Sequence, residues 1–261
     1  MIADGAVLNT FKKLLTSRRF ARILDLNTFK NNMKTKSQET SFRILEAALE
    51  LFRTEGFDKT TMRDIAAKAG VATGAAYYYY ESKDAIILAF YELASTAMQP
   101  RIAAAVATEK SLENRLRAIL NAKLDYFEPF RHVLRALLRN GADPDHPLSP
   151  FSDQTKPIRD ADILWFTRIL VDCGIRIPRD LAPHLPSVLW LYQMGVIFFW
   201  VTDGSENQAR TKKLVDLSAR AVTSLIRISA LPLTRPIRKA ALELIETVRS
   251  PSPTTNSAHF S

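Results

Sequence analysis

Residues 61–79 contain two helical segments that are each too short to be stable alone. Thr61 followed by Asp64 has the pattern of a capping box, which begins a helix, and Gly70 is the residue type that most readily ends one. The second segment follows directly after a tight turn. Because neither helix can bury enough surface by itself, both must pack against other helices. Such a pair is typical of a helix-turn-helix motif.

The rest of the chain has the same helical period. An apolar stripe at i, i+3, i+4 and i+7 runs through residues 37–56, and Ser82 caps a fourth helix. Ser205 with Gln208 has a second capping-box pattern. Further helices are predicted near residues 102–127, 129–139, 153–173, 181–202, 206–229 and 232–248. Strand-like alternation is not evident, so we predict an all-α fold.

The residue types needed for catalysis or metal binding do not occur in suitable spacing. Cys173 is the single cysteine, which excludes an internal disulfide and fits a reducing compartment such as the cytoplasm. The histidines lack zinc-ligand spacing: His132, His146, His184 and His259. The sequence contains no Ser/His/Asp arrangement and no glycine-rich phosphate loop. We therefore expect no metal, no cofactor and no enzyme activity.

The most apolar run is 14 residues long, Val188–Val201, and contains Gln193. A bilayer-spanning helix needs about 20 apolar residues. No apolar region followed by a cleavage site occurs near the N-terminus. We expect a buried helix here, no stable membrane association and a cytoplasmic protein.

The stretch TTMRDIAAKAGVATGAAYYYYESKDAI resembles the DNA-binding domain of the TetR family of bacterial transcriptional regulators. The similarity covers roughly residues 38–90 and includes the Thr-capped second helix, Ala-Gly-Val, the tyrosine run and Ser-Lys before the fourth helix. It implies an N-terminal three-helix helix-turn-helix domain and a larger C-terminal helical domain that binds a ligand and dimerises. The implied divisions are a leader (1–33), the DNA-binding domain (34–84), the ligand-binding and dimerisation domain (85–231), and a last helix with a disordered tail (232–261).

The resemblance also implies which residues contact DNA: Thr61, Arg63, Ala72, Thr73, Gly74, Tyr77, Tyr78, Tyr79 and Lys83. Of the tyrosines, Tyr80 is expected in the core, Tyr77 half-buried, and Tyr78 and Tyr79 outward, where phenols can bond phosphate oxygens. Each assignment has an alternative. The tyrosines could only pack, Lys83 could be solvated without a role, and Arg63 could form a surface salt bridge. Ala72 departs from the family pattern, because a hydroxyl cap is usual there.

The C-terminal helices carry more apolar surface than one chain can cover. We expect a dimer interface built from Leu191, Gly195, Phe199, Leu214, Leu217, Ala221, Leu225 and Ile228; one thick monomer core is the alternative. Candidate ligand-binding aromatics are Tyr126, Phe127, Phe130, Trp165, Phe166 and Trp190, although such stripes are more often core. Because no cluster of buried charges is evident, an apolar or aromatic small-molecule effector is expected.

Charge is distributed unevenly. The net charge of +9 fits an anionic partner, yet between Lys34 and Asp84 eight basic and eight acidic residues cancel. Affinity for DNA must then come from a few well-placed cations and from dimerisation. The first 33 residues hold six basic and two acidic residues. Three interpretations are open: a mis-assigned start with Met33 as the initiator, a basic arm that follows DNA, or an amphipathic membrane or targeting segment.

These features together predict a one-component transcriptional regulator, most simply a repressor. A homodimer would bind a palindromic double-stranded DNA operator, and a small molecule in the larger domain would change the spacing of the two DNA-binding domains. The alternative is a protein of the same fold that binds a lipid or quinone and has lost DNA binding. The cancelled charge of the N-terminal domain leaves that alternative open.

Overall fold

The computed structural model describes residues 35–140, 143 and 145–249. The expected leader and tail, residues 1–33 and 250–261, lie outside this part of the chain. The described residues form α-helices and short 3-10 turns without strands, which confirms the all-α prediction. The α-helices are α1 (Lys36–Thr54), α2 (Met62–Ala69), α3 (Thr73–Tyr79), α4 (Lys83–Ala107), α5 (Leu112–Phe127), α6 (Arg131–Asn140), α7 (Lys156–Asp172), α8 (Leu185–Thr202), α9 (Ala209–Ser229) and α10 (Arg235–Arg249).

Helices α1–α3 form the N-terminal domain, hereafter the head. The predicted capping box of α2 is confirmed: Asp64 N donates to Thr61 Oγ1 (3.2 Å), and Thr61 N donates to the Asp64 carboxylate (2.9 Å). Gly70 ends α2 in the left-handed region at φ 67°. A salt bridge of 2.9 Å between Lys68 and Glu50 ties α2 to α1. These local signals fix the two ends of α2 and its packing against α1.

The capping box predicted at Ser205 and Gln208 is wrong. The Ser205 side chain instead accepts from Arg210 N at 3.1 Å, and a 3-10 turn precedes α9. Asp203 supplies the cap, because its carboxylate accepts from both Thr211 N (2.9 Å) and Thr211 Oγ1 (2.6 Å). These bonds hold the pKa of Asp203 well below its ordinary value. The two side chains therefore divide the first turn of α9, with Ser205 accepting from the Arg210 amide and the more strongly accepting carboxylate of Asp203 from the Thr211 amide.

The helix predicted near residues 102–127 is two helices. α4 is 25 residues long and continues through Pro100 to Ala107, and α5 begins after Ser111, whose hydroxyl accepts from Asn114 N (3.1 Å). A proline removes one helical hydrogen bond, but tertiary packing can hold the helix together. Here Met98 and Ile102 on either side of Pro100 are both buried.

The C-terminal helices, hereafter the body, pack around α8. Among the described residues, α8 is the one helix long and apolar enough to cross a membrane by length and composition. One of its sides packs into the core through Gln193, Val196 and Trp200, while Leu191 and Phe198 on another side are exposed. Buried apolar side chains continue from α1 in the head to α9 in the body as one cluster.

Candidate nucleic-acid interface

The tyrosine run lies at the end of α3 and is divided by the helical turn. Tyr78 is 83% exposed, as expected, whereas Tyr77, expected to be half-buried, is exposed at 51%. The outward position expected for Tyr79 is also wrong. Tyr79 is half-buried and packs against the core, with its ring edge-on to Tyr78 at a centroid distance of 5.2 Å. The reason is that Tyr79 lies three residues after Ala76, which is fully buried, and therefore shares its face.

Tyr80 ends α3 and joins it to α1. Its hydroxyl shares a 2.8 Å hydrogen bond with Ser41 Oγ, and its half-buried ring packs against the core. Burial raises the pKa of the Tyr80 phenol above its ordinary value. The expected core position is thus met for the ring, and the hydroxyl has a partner that the sequence did not reveal. A bond between residues 39 positions apart has no local signal.

The structure brings most of the predicted DNA-contacting residues onto one exposed surface of α2 and α3. The exposed members are Thr61, Arg63, Ala72, Thr73, Gly74, Tyr77 and Tyr78. Within the described residues, no ion pair joins Arg63 to a carboxylate, so the surface salt bridge considered for it does not form. Ala72 begins α3 without a side-chain hydrogen bond, as its departure from the family pattern predicts. This surface carries hydroxyl, phenol and guanidinium donors of the kind that bind phosphates.

Lys83 stands apart from that surface. Its ammonium donates a 2.6 Å hydrogen bond to the Phe57 carbonyl and lies 4.4 Å from the centre of the Phe57 ring. Lys83 is therefore neither a solvated lysine without a role nor a wholly free phosphate ligand. It ties the first residue of α4 to the loop between α1 and α2. Two of the three ammonium protons remain after this bond, so contact with a phosphate is not prevented.

The expected dimer residues form an apolar surface on α8 and α9 that the single chain leaves uncovered. Six of the eight are exposed: Leu191, Gly195, Leu217, Ala221, Leu225 and Ile228. The other two, Phe199 and Leu214, are half-buried. The neighbouring stripe of α9 turns inward, with Val215 and Ile226 buried. The core of the single chain covers only one of the two stripes, and the dimer interface stays a prediction.

A cavity of about 130 Å³ lies in the body between α4, α5, α6, α7 and α8. Of the aromatic residues expected around a ligand, Phe127 and Trp190 line it. The remaining four are buried in the core outside its lining: Tyr126, Phe130, Trp165 and Phe166. Tyr91 and Met98 of α4 also line the cavity. The same helix that begins at the head therefore forms part of the cavity wall.

The expectation that no buried charges cluster in this region is wrong. Lys123 and Asp162 form a buried ion pair of 2.6 Å, and Gln193 donates to the other carboxylate oxygen at 2.8 Å. The three side chains come from α5, α7 and α8 and line the cavity. A signal was available for two of the three helices, since Gln193 is the polar member of an apolar run and Lys123 lies on the apolar face of α5. Their meeting point depends on tertiary packing.

Two family profiles match the chain. One is described as bacterial regulatory proteins of the tetR family and covers residues 44–90, and the other as a tetracyclin repressor-like C-terminal domain and covers residues 115–241. The HTH-type transcriptional regulator UidR of Escherichia coli is 39% identical over 59 residues, which is 23% of this chain. The match spans 30% of the length of that relative.

Solved structures share the fold along most of the chain. A TetR-family transcriptional regulator from Streptomyces coelicolor superimposes with a TM-score of 0.55 at 16% identity, covering 77% of this chain and 95% of that one. Thermus thermophilus FadR, a transcriptional repressor solved with lauroyl-CoA, superimposes with a TM-score of 0.50 at 21% identity. That match covers 67% of this chain and 92% of the Thermus protein. The neighbours contain both a head and a body of the kind described above.

Proposed function

Because the chain belongs to the TetR family of bacterial regulatory proteins, we propose that it is a one-component transcriptional regulator acting on DNA in the cytoplasm. The observation that carries this proposal is the surface of α2 and α3. Tyr78 is 83% and Tyr77 51% exposed on α3, and Arg63 is exposed on α2, which packs against α3. The phenol and guanidinium groups of these side chains are therefore accessible to a ligand. Phenol and guanidinium donors at this place match a phosphate backbone.

The proposed active form is a homodimer. The apolar surface on α8 and α9 would be covered by the same surface of a second chain, as in a two-fold symmetric interface. Gly195 has no atom within 4 Å of the position of a Cβ, so a partner helix could approach closely there. Two heads then face DNA together, and a two-fold symmetric protein is matched by a palindromic operator.

The proposed control is a small molecule bound in the body. Tyr91 and Met98 of α4 line the cavity, and Lys83 at the start of α4 is bonded to the head. A ligand that prefers one position of α4 would therefore change the placement of the heads and shift the DNA-binding equilibrium. The Thermus protein of this fold was solved with lauroyl-CoA, which supports a ligand-responsive body here. Repression relieved by the ligand is the simplest arrangement.

The test is to sequence the DNA that the purified protein retains from fragmented genomic DNA. We expect enrichment of one palindromic sequence, with half-sites spaced by about one helical turn, near 34–36 Å. The matched control is the double variant Arg63→Ala/Tyr78→Ala, which alters two exposed side chains and should keep its fold. Equal retention of all sequences by both proteins would contradict operator binding.

A second candidate is a lipid- or quinone-binding protein of the same fold without DNA binding. The observation that favours it is the bond between Lys83 and the Phe57 carbonyl, which engages a cation expected at the phosphate backbone. In that case the same purification would retain no specific DNA, and lipid extracted from the protein would be stoichiometric. Specific DNA without bound lipid would exclude this candidate.

A further inference from the structure

A compact polar cluster lies at the wall of the apolar cavity. The Lys123 ammonium is 2.6 Å from Asp162 Oδ1, and Gln193 Nε2 donates to Asp162 Oδ2 at 2.8 Å. All three residues are buried, with residue exposures of 3%, 9% and 1% for Lys123, Asp162 and Gln193. Buried charges and amides are retained only where they are paired or used. Three helices deliver these groups to one place.

The cluster has hydrogen-bonding capacity that the protein does not use. Gln193 Oε1 is buried and has no donor. The orientation of the amide is fixed, because exchanging its oxygen and nitrogen would turn an acceptor toward the Asp162 carboxylate. Lys123 has three ammonium protons, and among the described residues Asp162 is the acceptor shown for them. The unpaired acceptor of Gln193 and the remaining ammonium protons of Lys123 therefore lie on either side of the Asp162 carboxylate.

The other charged residue of the cavity wall is already engaged. Arg159 donates through Nη1 to the carbonyl oxygens of Pro150 (2.6 Å) and Ser152 (3.2 Å). Its guanidinium also lies 5.8 Å from the centre of the Trp190 ring. Arg159 thus holds the loop before α7 against the cavity. The open positions for a ligand's polar group are those of Gln193, Lys123 and the Tyr91 phenol, and Gln193 with Lys123 offers an acceptor beside donors.

Apart from Thr155 and the Tyr91 phenol, the remaining wall is apolar. Leu134, Leu137 and Ile197 are among the side chains that line it. The cavity volume is about 130 Å³. An engineered apolar cavity of about 150 Å³ binds benzene. A single six-membered ring, or an aliphatic group of that size, fills the space.

We propose that the cavity binds a small neutral molecule with a ring-sized apolar body and one hydroxyl group. The hydroxyl donates its proton to Gln193 Oε1, and its oxygen accepts from the Lys123 ammonium. A hydroxyl is the smallest group that does both. A carboxylate has no proton for Gln193 and adds negative charge beside Asp162, whereas an ammonium cannot accept from Lys123 and adds positive charge beside it. The inference names the chemical class of the small molecule that controls DNA binding, and in that respect it rests on the proposed function.

The experiment compares three probes of similar size on the full chain: phenol, toluene and benzoate. Binding is measured by calorimetry and by the change of intrinsic tryptophan fluorescence, to which Trp190 at the cavity contributes together with Trp165 and Trp200. We expect phenol to bind about tenfold more tightly than toluene or better, because toluene leaves Gln193 Oε1 unpaired. Benzoate should bind more weakly than phenol. Equal affinity for phenol and toluene, stronger binding of benzoate, or no binding of phenol would overturn the proposal.

A variant isolates the amide. Gln193→Met keeps the length of the side chain and removes the acceptor, so the preference for phenol over toluene should fall to about equality. Met194→Leu is the matched control, because Met194 lines the same cavity without a hydrogen-bonding role and should alter both affinities alike. Circular dichroism verifies the fold of each variant. The comparison of the three probes on the unaltered chain tests the proposal even if a variant does not fold. A phenol preference that survives in Gln193→Met would contradict the role of the amide.

DNA binding is measured separately with and without phenol. If the chain prefers phenol but phenol has no effect on DNA binding, the cavity proposal holds and the proposed control of DNA binding is contradicted. If benzoate or toluene releases DNA and the chain shows no preference for phenol, the proposed control holds and the cavity proposal is contradicted.

Discussion

At the scale of single residues, neighbours in the tyrosine run have different tasks because the helix turns by about 100° per residue. Tyr78 extends into solvent, while the Tyr80 hydroxyl is bonded to Ser41. A Phe substitution removes only the oxygen and keeps the ring at each position. The pair of substitutions therefore separates binding from stability within one short helix.

Tyr78→Phe is expected to weaken operator binding by about 0.5–1.5 kcal/mol for each half-site, the usual net value of a hydrogen bond. The thermal midpoint should stay unchanged, because this side chain is 83% exposed. Fluorescence anisotropy with labelled operator measures the first quantity and a thermal melt the second. Unchanged affinity would show that the Tyr78 hydroxyl does not meet phosphate.

Tyr80→Phe is expected to change stability rather than operator binding. It should lower the free energy of unfolding by about 0.5–1.5 kcal/mol through loss of the bond to Ser41, with little change in operator affinity per folded molecule. Ser41→Ala removes the same bond from the other side, so the double variant should be less destabilised than the sum of the two single variants. Additive losses in urea unfolding would mean that the bond does not form in solution.

At the scale of elements, the start of α9 depends on a carboxylate. Asp203→Asn keeps the shape of the side chain and removes the negative charge of the carboxylate that accepts hydrogen bonds from Thr211. The bond from the Thr211 hydroxyl is the main cause of the lowered pKa of Asp203. A carboxyl with a lowered folded-state pKa stabilises the protein above its unfolded pKa of about 3.9, and loses that contribution as the pH falls further.

The Asp203→Asn variant should therefore melt at a lower temperature than the unaltered chain at pH 7, by several degrees, and the gap should narrow below about pH 4. Asp153→Asn is the control, because Asp153 is exposed and its carboxylate makes no such bonds among the described residues. Melting curves at pH 7, 5 and 3 measure both gaps. A gap that stays constant from pH 7 to pH 3 would contradict the role of the charge.

The apolar surface of α8 and α9 gives a second prediction for elements. Leu217→Glu would place a charge in the proposed seam between two chains, at a cost of about 3–5 kcal/mol to association. Val171→Glu is the matched control, since Val171 is also exposed but lies at the end of α7. Sedimentation at micromolar concentration should show a dimer for the unaltered chain and the control, and a monomer for Leu217→Glu. A monomeric unaltered chain would defeat the proposal.

The elements also show how far sequence reasoning reaches. The start and end of α2 were predictable, because the capping box and Gly70 act within a few residues. The cap of α9 was not, since Asp203 and Ser205 are both suitable residues and only the local path of the chain decides between them. The cluster of Lys123, Asp162 and Gln193 joins three helices across 31 and 39 residues, a distance over which pattern carries no information.

At the scale of the whole molecule, head and body share one core. The buried cluster continues from Phe42 in α1 to Ile226 in α9. Domains that unfold independently have separate cores. We therefore expect one calorimetric unfolding transition, whose midpoint rises with protein concentration because dissociation of the dimer accompanies unfolding. Two separate transitions would contradict the shared core. A midpoint that does not depend on protein concentration would contradict the coupling of dimer dissociation to unfolding.

The position of α4 limits how proteins of this kind can exchange parts. Lys83 at its first residue is bonded to Phe57 in the head, and Phe90, two turns later, lies 4.8 Å from the Phe130 ring in the body. A chimaera joined between residues 84 and 85 would keep the Lys83–Phe57 contact of one parent and the Phe90–Phe130 contact of the other. Helix α4 also packs against α1, so most of α4 would then meet a head from a different parent. Recombining heads and bodies therefore requires that the facing residues of α1 and α4 be chosen together. New operator specificity is then acquired more easily by substitutions on α2 and α3 than by swapping the head.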